Sequence, residues 1–139
     1  MILLDTSAVL AALFPDQHHH ETCVRAIEES TPPRVISPIV LAELDYFITK
    51  YSSVSLELQF FGEISQGVYN LASFSREDLD EAVQIIKVYH DLNIGLADAS
   101  IVVLAKRYDT RDVLTLDERH FRAMRPPGRR SFRILPADA

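Results

Sequence analysis

Two acidic residues follow segments whose composition predicts buried strands. Asp5 comes directly after Ile2–Leu4, a continuous apolar run typical of a strand that is buried on both faces. Asp117 follows Arg111–Leu116, a second segment with the composition of a strand. Ligands of open parallel α/β sheets bind beyond the carboxyl ends of the strands, so we expect both acids at that edge. Asp5 taken alone is equally compatible with a helix N-cap.

Two further acids lie on predicted helices, beside the faces that point inward. Glu43 flanks the apolar stripe of a helix predicted over about residues 38–51. Asp98 lies in helical register with the apolar residues of a helix predicted over about residues 97–108. An ionised carboxylate at the rim of an apolar face is costly unless it is paired or binds a metal. A role as a helix-start acid is the alternative for Asp98.

Four carboxylates at one sheet edge predict metal-dependent chemistry on a phosphate. Like charges a few ångströms apart must take up protons or bind cations. Oxygen-only ligand sets suit Mg²⁺ or Mn²⁺. One or two such ions typically bind a phosphate, activate a water and stabilise the leaving oxygen of an in-line displacement. The pattern therefore favours displacement chemistry at a phosphate group.

The basic residues are concentrated in one segment of an acidic chain. The formal net charge is −6, with 14 Lys and Arg against 20 Asp and Glu. Nine of the basic residues lie between Lys106 and Arg133, where only four acids occur, so this segment carries +5 and the remainder −11. A basic segment beside an acidic site would hold a polyanionic substrate. A solvated basic face explains the run equally well.

The surrounding sequence predicts the elements that would position these acids. Strand-like and helix-like segments alternate with short connections, which predicts an α/β sandwich with a mainly parallel sheet. The predicted strands are Ile2–Leu4, Arg34–Ser37, Tyr69–Phe74, Arg111–Leu116 and Phe132–Leu135. The predicted helices cover about residues 8–13, 17–30, 38–51, 54–68, 76–92, 97–108 and 118–124.

Composition sets the class of protein. The 139 residues, 47% of them hydrophobic, suit one domain over residues 1–139. No apolar run approaches the roughly 20 residues of a membrane span, and no signal-like core is present, so we expect a cytoplasmic protein. Cys23 is the only cysteine and is expected to pack in the core. The histidines at 18–20 would point in different directions on a helix, so we expect them at the surface rather than on a metal.

Four short motifs together resemble those of PIN domains. They are Asp5-Thr6-Ser7, Ala42-Glu43-Leu44, Gly95-Leu96-Ala97-Asp98-Ala99 and Leu114-Thr115-Leu116-Asp117. The resemblance covers nearly the whole chain, whose length is similar to that of VapC-type toxins of bacterial toxin–antitoxin pairs. It implies a PIN-like three-layer α/β/α sandwich with a mainly parallel sheet of about four to five strands. It also implies an endoribonuclease that depends on one or two Mg²⁺ or Mn²⁺ ions and cuts structured RNA, such as tRNA or a ribosomal RNA loop.

The same resemblance implies roles for individual residues. The catalytic, metal-binding acids would be Asp5 and Asp98 as principal ligands, Glu43 as a ligand directly or through water, and Asp117 as the fourth acid. The hydroxyls that support them would belong to Thr6, Ser7 and Thr115. Many relatives have a polar residue at the place of Asp117 and an acid immediately before the aromatic residue of the next turn, where this chain has His120 before Phe121. Asp117 is therefore expected to supply the fourth negative charge.

The resemblance also implies partners. It predicts a homodimer inhibited by a VapB-type antitoxin, whose C-terminal segment blocks the acidic pocket, often with a basic side chain. Arg119 and Arg122 are the candidate RNA contacts in the basic segment.

Three other classes of protein could share part of this pattern. A catalytically inactive PIN-like module that binds RNA or protein remains open. A receiver-like phospho-acceptor domain would need an acidic neighbour for Asp5 and a Lys at a late strand end. A haloacid-dehalogenase-like phosphatase would need an acid at Ser7. This sequence lacks the features that the last two require.

Overall fold

A central strand of consecutive apolar residues organises the sheet. In the computed structural model, which describes residues 1–126, 128 and 130–139, the side chains of Ile2, Leu3 and Leu4 are at most 1% exposed. The five strands are β1 (Ile2–Leu4), β2 (Arg34–Ile36), β3 (Asn70–Leu71), β4 (Asp112–Leu114) and β5 (Arg133–Leu135). They are all parallel, in the order β3-β2-β1-β4-β5. The predicted α/β sandwich is confirmed, with a sheet of five strands.

Helices connect the parallel strands. The described residues form α1 (Thr6–Leu13), α2 (His20–Glu29), α3 (Pro38–Tyr51), α4 (Val54–Ser65), α5 (Arg76–Val88), α6 (Leu96–Arg107) and α7 (Glu118–Ala123), with a short 3₁₀ helix over His90–Leu92. Helix α6 is the most enclosed, and its residues Ala99, Ser100, Ile101 and Leu104 are at most 1% exposed. No helix in the described part of the chain is long and apolar enough to cross a membrane.

Local capping explains where two helices begin. Ser37 is the N-cap of α3, its side chain accepts a hydrogen bond from the backbone N–H of Ile39, and Pro38 occupies the first helical position. Ser75 and Asp78 form a reciprocal capping box at the start of α5. Both starts were predicted from the sequence and are confirmed.

Three predicted helix boundaries differ from those in the structure. Helix α1 begins at Thr6, with Asp5 in the N-cap position, rather than after a Thr6 or Ser7 cap. Helix α2 begins at His20 rather than after Asp16, and the imidazole of His20 lies 2.9 Å from the carbonyl oxygen of Ala11. Helix α4 ends at Ser65 and Gly67 has a φ of 86°, so Val68 leaves the helix and is 50% exposed.

Three further segments are clearly shorter than predicted. Strand β3, predicted over Tyr69–Phe74, contains only Asn70 and Leu71; it lies at the edge of the sheet and pairs with β2 alone. Helix α5 ends at Val88, and the 3₁₀ helix then completes the segment that was predicted as helix to about Leu92. Strand β4, predicted over Arg111–Leu116, likewise contains only Asp112–Leu114.

The end of β1 is fixed against β4. Leu3 and Leu4 pair with Val113 and Leu114, and the backbone N–H of Asp5 donates to the carbonyl oxygen of Leu114 at 2.9 Å. This bond continues the ladder to the first residue after the strand. The position of Asp5 is therefore set by the sheet itself.

Candidate metal centre

Asp5 lies buried at the carboxyl end of the central strand. Its side chain makes no capping bond to α1, although the residue occupies the N-cap position. Instead, Oδ2 accepts hydrogen bonds from Thr115 Oγ1 at 2.7 Å and from Ser7 Oγ at 3.1 Å. Burial raises the pKa of Asp5 to about 6, and the nearby charge of Asp98 adds to this effect, whereas both hydroxyls oppose it. The carboxylate is held in place rather than used as a cap.

The hydroxyls of Ser7 and Thr115 also connect Asp5 to the loop after β4. Ser7 Oγ accepts from the backbone N–H of Leu116 at 3.0 Å. Thr115 Oγ1 accepts from the backbone N–H of Asp117 at 2.9 Å while it donates to Asp5. Two predicted supporting hydroxyls thus link the two acidic strand ends. The loop that carries Asp117 is positioned relative to Asp5 by these bonds.

Glu43 reaches the same region from α3. The residue is exposed, and its Oε1 accepts a short hydrogen bond of 2.6 Å from Thr6 Oγ1. The charge of Glu43 contributes to raising the pKa of Asp98, so the two carboxylates are close enough to interact. Thr6 was predicted as a supporting hydroxyl, and the structure places it against Glu43 rather than Asp5.

Asp98 caps α6 and also faces the other acids. Its Oδ2 accepts from the backbone N–H of Gly95 at 3.2 Å, which is the capping bond of a helix-start acid. The same oxygen lies 3.4 Å from His120 Nδ1. Burial raises the pKa of Asp98, with further increases from Asp117 and Glu43, against the lowering effects of Gly95 and His120. Asp98 is therefore a helix-start acid that also lies beside the other acids.

Asp117 is the N-cap of α7 and brings His120 to the site. Its Oδ1 accepts from the backbone N–H of His120 at 3.2 Å, and its Oδ2 lies 2.8 Å from His120 Nδ1. One ligand atom from each of Asp98, Asp117 and His120 lies within 4.8 Å of the other two. These three residues form a group that is able to hold a metal ion. Asp5 and Glu43 border this group without belonging to it.

The site carries more negative charge than the protein neutralises. Among the described residues, no Lys or Arg forms an ion pair with Asp5, Glu43, Asp98 or Asp117. His120 is the one basic side chain in contact with these acids in the described part of the chain. Carboxylate oxygens with one imidazole nitrogen are a donor set for a divalent cation. The residues present therefore fit a metal site.

His120 is the residue that sequence reasoning did not assign to the site. The sequence showed it three positions after Asp117, a spacing that places two side chains on one face of a helix, and directly before the buried Phe121. Its contact with Asp98 depends on how α6 and α7 pack, which the local sequence does not show. The sequence predicted a metal site made of carboxylates alone. In the structure, the three mutually close ligand residues include a histidine.

The two candidate RNA-binding arginines differ in their surroundings. Arg122 makes two hydrogen bonds of 2.7 and 2.8 Å to Asp138 and one of 2.9 Å to Glu118. The bond from Arg122 holds the pKa of Asp138 down to about 2. Arg119 is exposed on the same helix. The guanidinium of Arg122 is thus already occupied by carboxylates, whereas that of Arg119 faces solvent.

Known proteins are similar to this chain in sequence or in fold. A family model described as the PIN domain matches residues 2–125. Ribonuclease VapC26 of Mycobacterium tuberculosis is 41% identical over 135 residues, which cover 97% of this chain and 100% of the relative. Among solved structures, VapC20 of Mycobacterium tuberculosis, a toxin that cleaves the sarcin-ricin loop, has a TM-score of 0.79 at 15% identity, covering 86% of this chain and 92% of that chain. A toxin–antitoxin complex from Klebsiella pneumoniae has a TM-score of 0.70 at 22% identity, covering 89% of this chain and 92% of that chain. The chain therefore belongs to the PIN-domain family, as a relative of the VapC ribonucleases.

Proposed function

We propose that this protein is a metal-dependent endoribonuclease toxin that hydrolyses phosphodiester bonds in structured RNA, such as tRNA or a ribosomal RNA loop. The observation that carries this proposal is the group of carboxylates that no Lys or Arg neutralises within the described residues. Buried like charges are costly, and a divalent cation is the ordinary compensation. The 41% identity to a ribonuclease over 97% of the chain supports the same reaction class.

The acids divide into two groups by their contacts. Asp98 and Asp117 would bind the metal directly, since their oxygens lie in the group of mutually close ligand atoms. Asp5 and Glu43 border that group and would bind a metal directly, through water, or through a second ion. When bound, one or two Mg²⁺ or Mn²⁺ ions would supply Lewis-acid activation of water and of the scissile phosphate.

The hydroxyls keep the carboxylates in fixed orientations. Thr115 and Ser7 both donate to Oδ2 of Asp5, which leaves Oδ1 of that carboxylate free of these bonds. Thr6 holds Oε1 of Glu43 in the same way. A preorganised site spends no energy on reorienting its ligands when substrate binds. We therefore assign Thr6, Ser7 and Thr115 to positioning the acids rather than to contact with RNA.

A groove beside Glu43 offers a place for the antitoxin. It has a volume of about 400 Å³ and is lined in part by Leu10, Phe14, Phe47 and Tyr51. Phe47 lies four residues after Glu43 on α3, so the groove adjoins the acids on one helix face. We propose that apolar side chains of a VapB-type antitoxin fill this groove while a basic side chain pairs with the acids. Copurification with the product of a neighbouring upstream reading frame would test this partner.

The outer surface of α3 and α4 is a candidate for homodimer formation. Tyr46, Val54 and Leu58 are 56%, 62% and 65% exposed. Exposed apolar patches of this kind are often partner surfaces. We propose a homodimer on this basis, and light scattering of the purified protein would give its molar mass.

Substitution of Asp98 tests the proposed reaction. Asp98→Asn removes a charged ligand while the amide oxygen still accepts the capping bond from Gly95. We expect cleavage of total cellular RNA in Mg²⁺ or Mn²⁺ to fall at least about a hundredfold, because losing roughly 3 kcal/mol of transition-state stabilisation has that effect. New 5′ ends would be mapped with and without EDTA.

A surface acid provides the matched control. Asp80→Asn changes an exposed residue on α5 and should leave cleavage unchanged. Circular dichroism and thermal unfolding would verify that both variants fold. Undiminished cleavage by Asp98→Asn would exclude this assignment, and no cleavage by the wild-type protein in either metal would favour an inactive RNA- or protein-binding module.

A further inference from the structure

The imidazole of His120 has a defined tautomer. Its Nε2 lies 2.9 Å from the carbonyl oxygen of Leu92. A carbonyl oxygen only accepts hydrogen bonds, so Nε2 carries the proton and donates it. In the neutral ring, Nδ1 therefore presents a lone pair. The bond to Leu92 fixes both the tautomer and the orientation of the ring.

In the neutral ring, the lone pair of Nδ1 faces the acidic site. Nδ1 is buried and lies 2.8 Å from Asp117 Oδ2 and 3.4 Å from Asp98 Oδ2. Despite these short distances, the atom has no hydrogen-bond partner in the described part of the chain. A nitrogen lone pair and two carboxylates thus converge on one another. Such a group of acceptors is unfavourable unless a cation lies among them.

A metal-binding histidine has a second characteristic contact. Histidines that bind metals through one nitrogen almost always donate the other ring N–H to a carboxylate, a backbone carbonyl or water. The bond from His120 to Leu92 is of this kind. It is independent of the acids, since it comes from the 3₁₀ helix His90–Leu92 on the opposite side of the ring. The surroundings of both ring nitrogens therefore match those of a ligand.

We propose that Nδ1 of His120 binds the catalytic metal together with Asp98 and Asp117, and that this nitrogen shifts the preference of the site from Mg²⁺ towards Mn²⁺. The inference rests on the proposed function, because it concerns the same metal site. Mg²⁺ keeps its waters and prefers oxygen ligands, whereas imidazole suits first-row transition ions. A histidine at this position thus determines which ion supports the reaction.

Electron spin-echo spectroscopy of the Mn²⁺-loaded protein tests the ligand directly. We expect a nitrogen hyperfine coupling typical of directly bound imidazole in the wild-type protein and its loss in His120→Asn. Asparagine places an amide oxygen near the position of Nδ1 and adds no charge. By calorimetry, the Mn²⁺ affinity of His120→Asn should fall at least about tenfold, with a smaller change for Mg²⁺.

Two further variants complete the experiment. His18→Gln/His19→Gln removes two exposed imidazoles that would bind Mn²⁺ adventitiously, and it should retain the nitrogen coupling. His120→Asp provides an all-carboxylate site and should bind Mg²⁺ more tightly than the wild type does. It also serves as the second test if His120→Asn does not fold, which thermal unfolding in EDTA would reveal.

The outcomes separate this inference from the proposed function. Bound Mn²⁺ without nitrogen coupling in the wild type would overturn the histidine ligand and indicate that a protonated His120 only balances the acids. Coupling that persists in His120→Asn would also overturn it. In both cases, loss of RNA cleavage in Asp98→Asn would leave the proposed function intact. Absence of any bound metal, with cleavage undiminished in Asp98→Asn, would overturn both.

Discussion

The carboxylate of Asp5 is stabilised by two hydroxyls and destabilised by its burial. Thr115 and Ser7 donate to the same oxygen, yet the residue is only 5% exposed and its pKa is raised to about 6, mainly by burial. The direction of the shift shows that desolvation outweighs the hydrogen bonds. In the metal-free protein, the ionised form of Asp5 therefore costs stability near neutral pH.

The pH dependence of the free energy of unfolding follows from the pKa of Asp5 in the folded and unfolded states. In the unfolded chain Asp5 titrates near its ordinary pKa of 3.8, whereas in the folded protein it titrates at about 6. Between these values the native state binds one proton more than the unfolded state, so the free energy of unfolding decreases as pH rises. The full difference corresponds to roughly 3 kcal/mol at most. This contribution is lost as pH rises through the folded pKa.

Asp5→Asn should therefore stabilise the metal-free protein while removing a site residue. The amide oxygen still accepts a hydrogen bond from Thr115, and the buried charge is gone. In EDTA at neutral pH, we expect the free energy of unfolding in urea to increase by about 1 to 3 kcal/mol, and the difference to disappear below the ordinary carboxyl pKa.

The comparison variant is Asp80→Asn, which alters an exposed acid and should change stability little at any pH. A less stable Asp5→Asn at neutral pH would mean that the hydrogen bonds to the carboxylate outweigh its desolvation. RNA cleavage by Asp5→Asn should be lost in either case.

At the scale of elements, helix α7 has two roles, one at the acidic site and one in packing the chain after β5. Its N-terminal side holds Asp117 and His120 at the acidic site. Its last turn holds Arg122 against Asp138, whose carboxylate also accepts from the backbone N–H of Ile134 in β5. The helix thereby fastens the chain after β5 to the same segment that carries the site.

Ion pairs neutralise part of the charge of the basic segment. Four of its basic residues contact acids at 2.6 to 3.0 Å. The pairs are Lys106 with Glu81, Arg107 with Asp78, Arg122 with Glu118 and Asp138, and Arg133 with Asp112. The charge of +5 therefore overstates what this segment offers to RNA. Arg119, which is exposed on the helix that carries Asp117, is the better candidate for a phosphate contact.

The two arginines of α7 should respond differently to substitution. In an Asp98→Asn background, where the RNA stays intact, Arg119→Ala should weaken RNA binding and reduce the slope of log affinity against log salt by about 1. Arg122→Ala should change that slope less and lower the thermal unfolding midpoint, because it releases Asp138. Fluorescence anisotropy across a salt series and thermal unfolding give the two readouts. Equal salt slopes for both variants would contradict this division.

The sequence predicts those elements whose causes are local. The continuous apolar run of β1 and the Ser37-Pro38 start of α3 are confirmed, because strand burial and helix capping involve neighbouring residues. The four acids were placed near one another from strand ends and helix faces alone. The resemblance placed His120 where many relatives have an acid, but its contact with Asp98 was not predicted, since this contact joins residues of two different helices.

The whole molecule distributes its charge unevenly. The net charge is −6, and the residues outside the segment from Lys106 to Arg133 carry −11. The site acids come from both parts of the chain and lack Lys or Arg partners among the described residues. Folding gathers these acids at one sheet edge, whereas the unfolded chain keeps them apart. The stability of the molecule should therefore depend on the cation available to it.

Divalent cations should stabilise the folded protein beyond the effect of ionic strength. Any ion that binds only the native state contributes RT ln(1 + [L]/Kd), which is about 2.7 kcal/mol at a hundred times Kd. For a chain of this length, each kcal/mol of added stability raises Tm by roughly 2 to 4 °C. We expect MnCl₂ or MgCl₂ to raise Tm well above its value in NaCl of equal ionic strength. Both kinds of salt screen the exposed charges, whereas only the divalent ion binds at the acidic site.

Asp98→Asn should lose most of the additional rise in Tm that divalent ions cause and keep the response to NaCl, whereas Asp80→Asn should keep both. An equal Tm in the two salts would show that the acidic site does not bind a cation in the folded state.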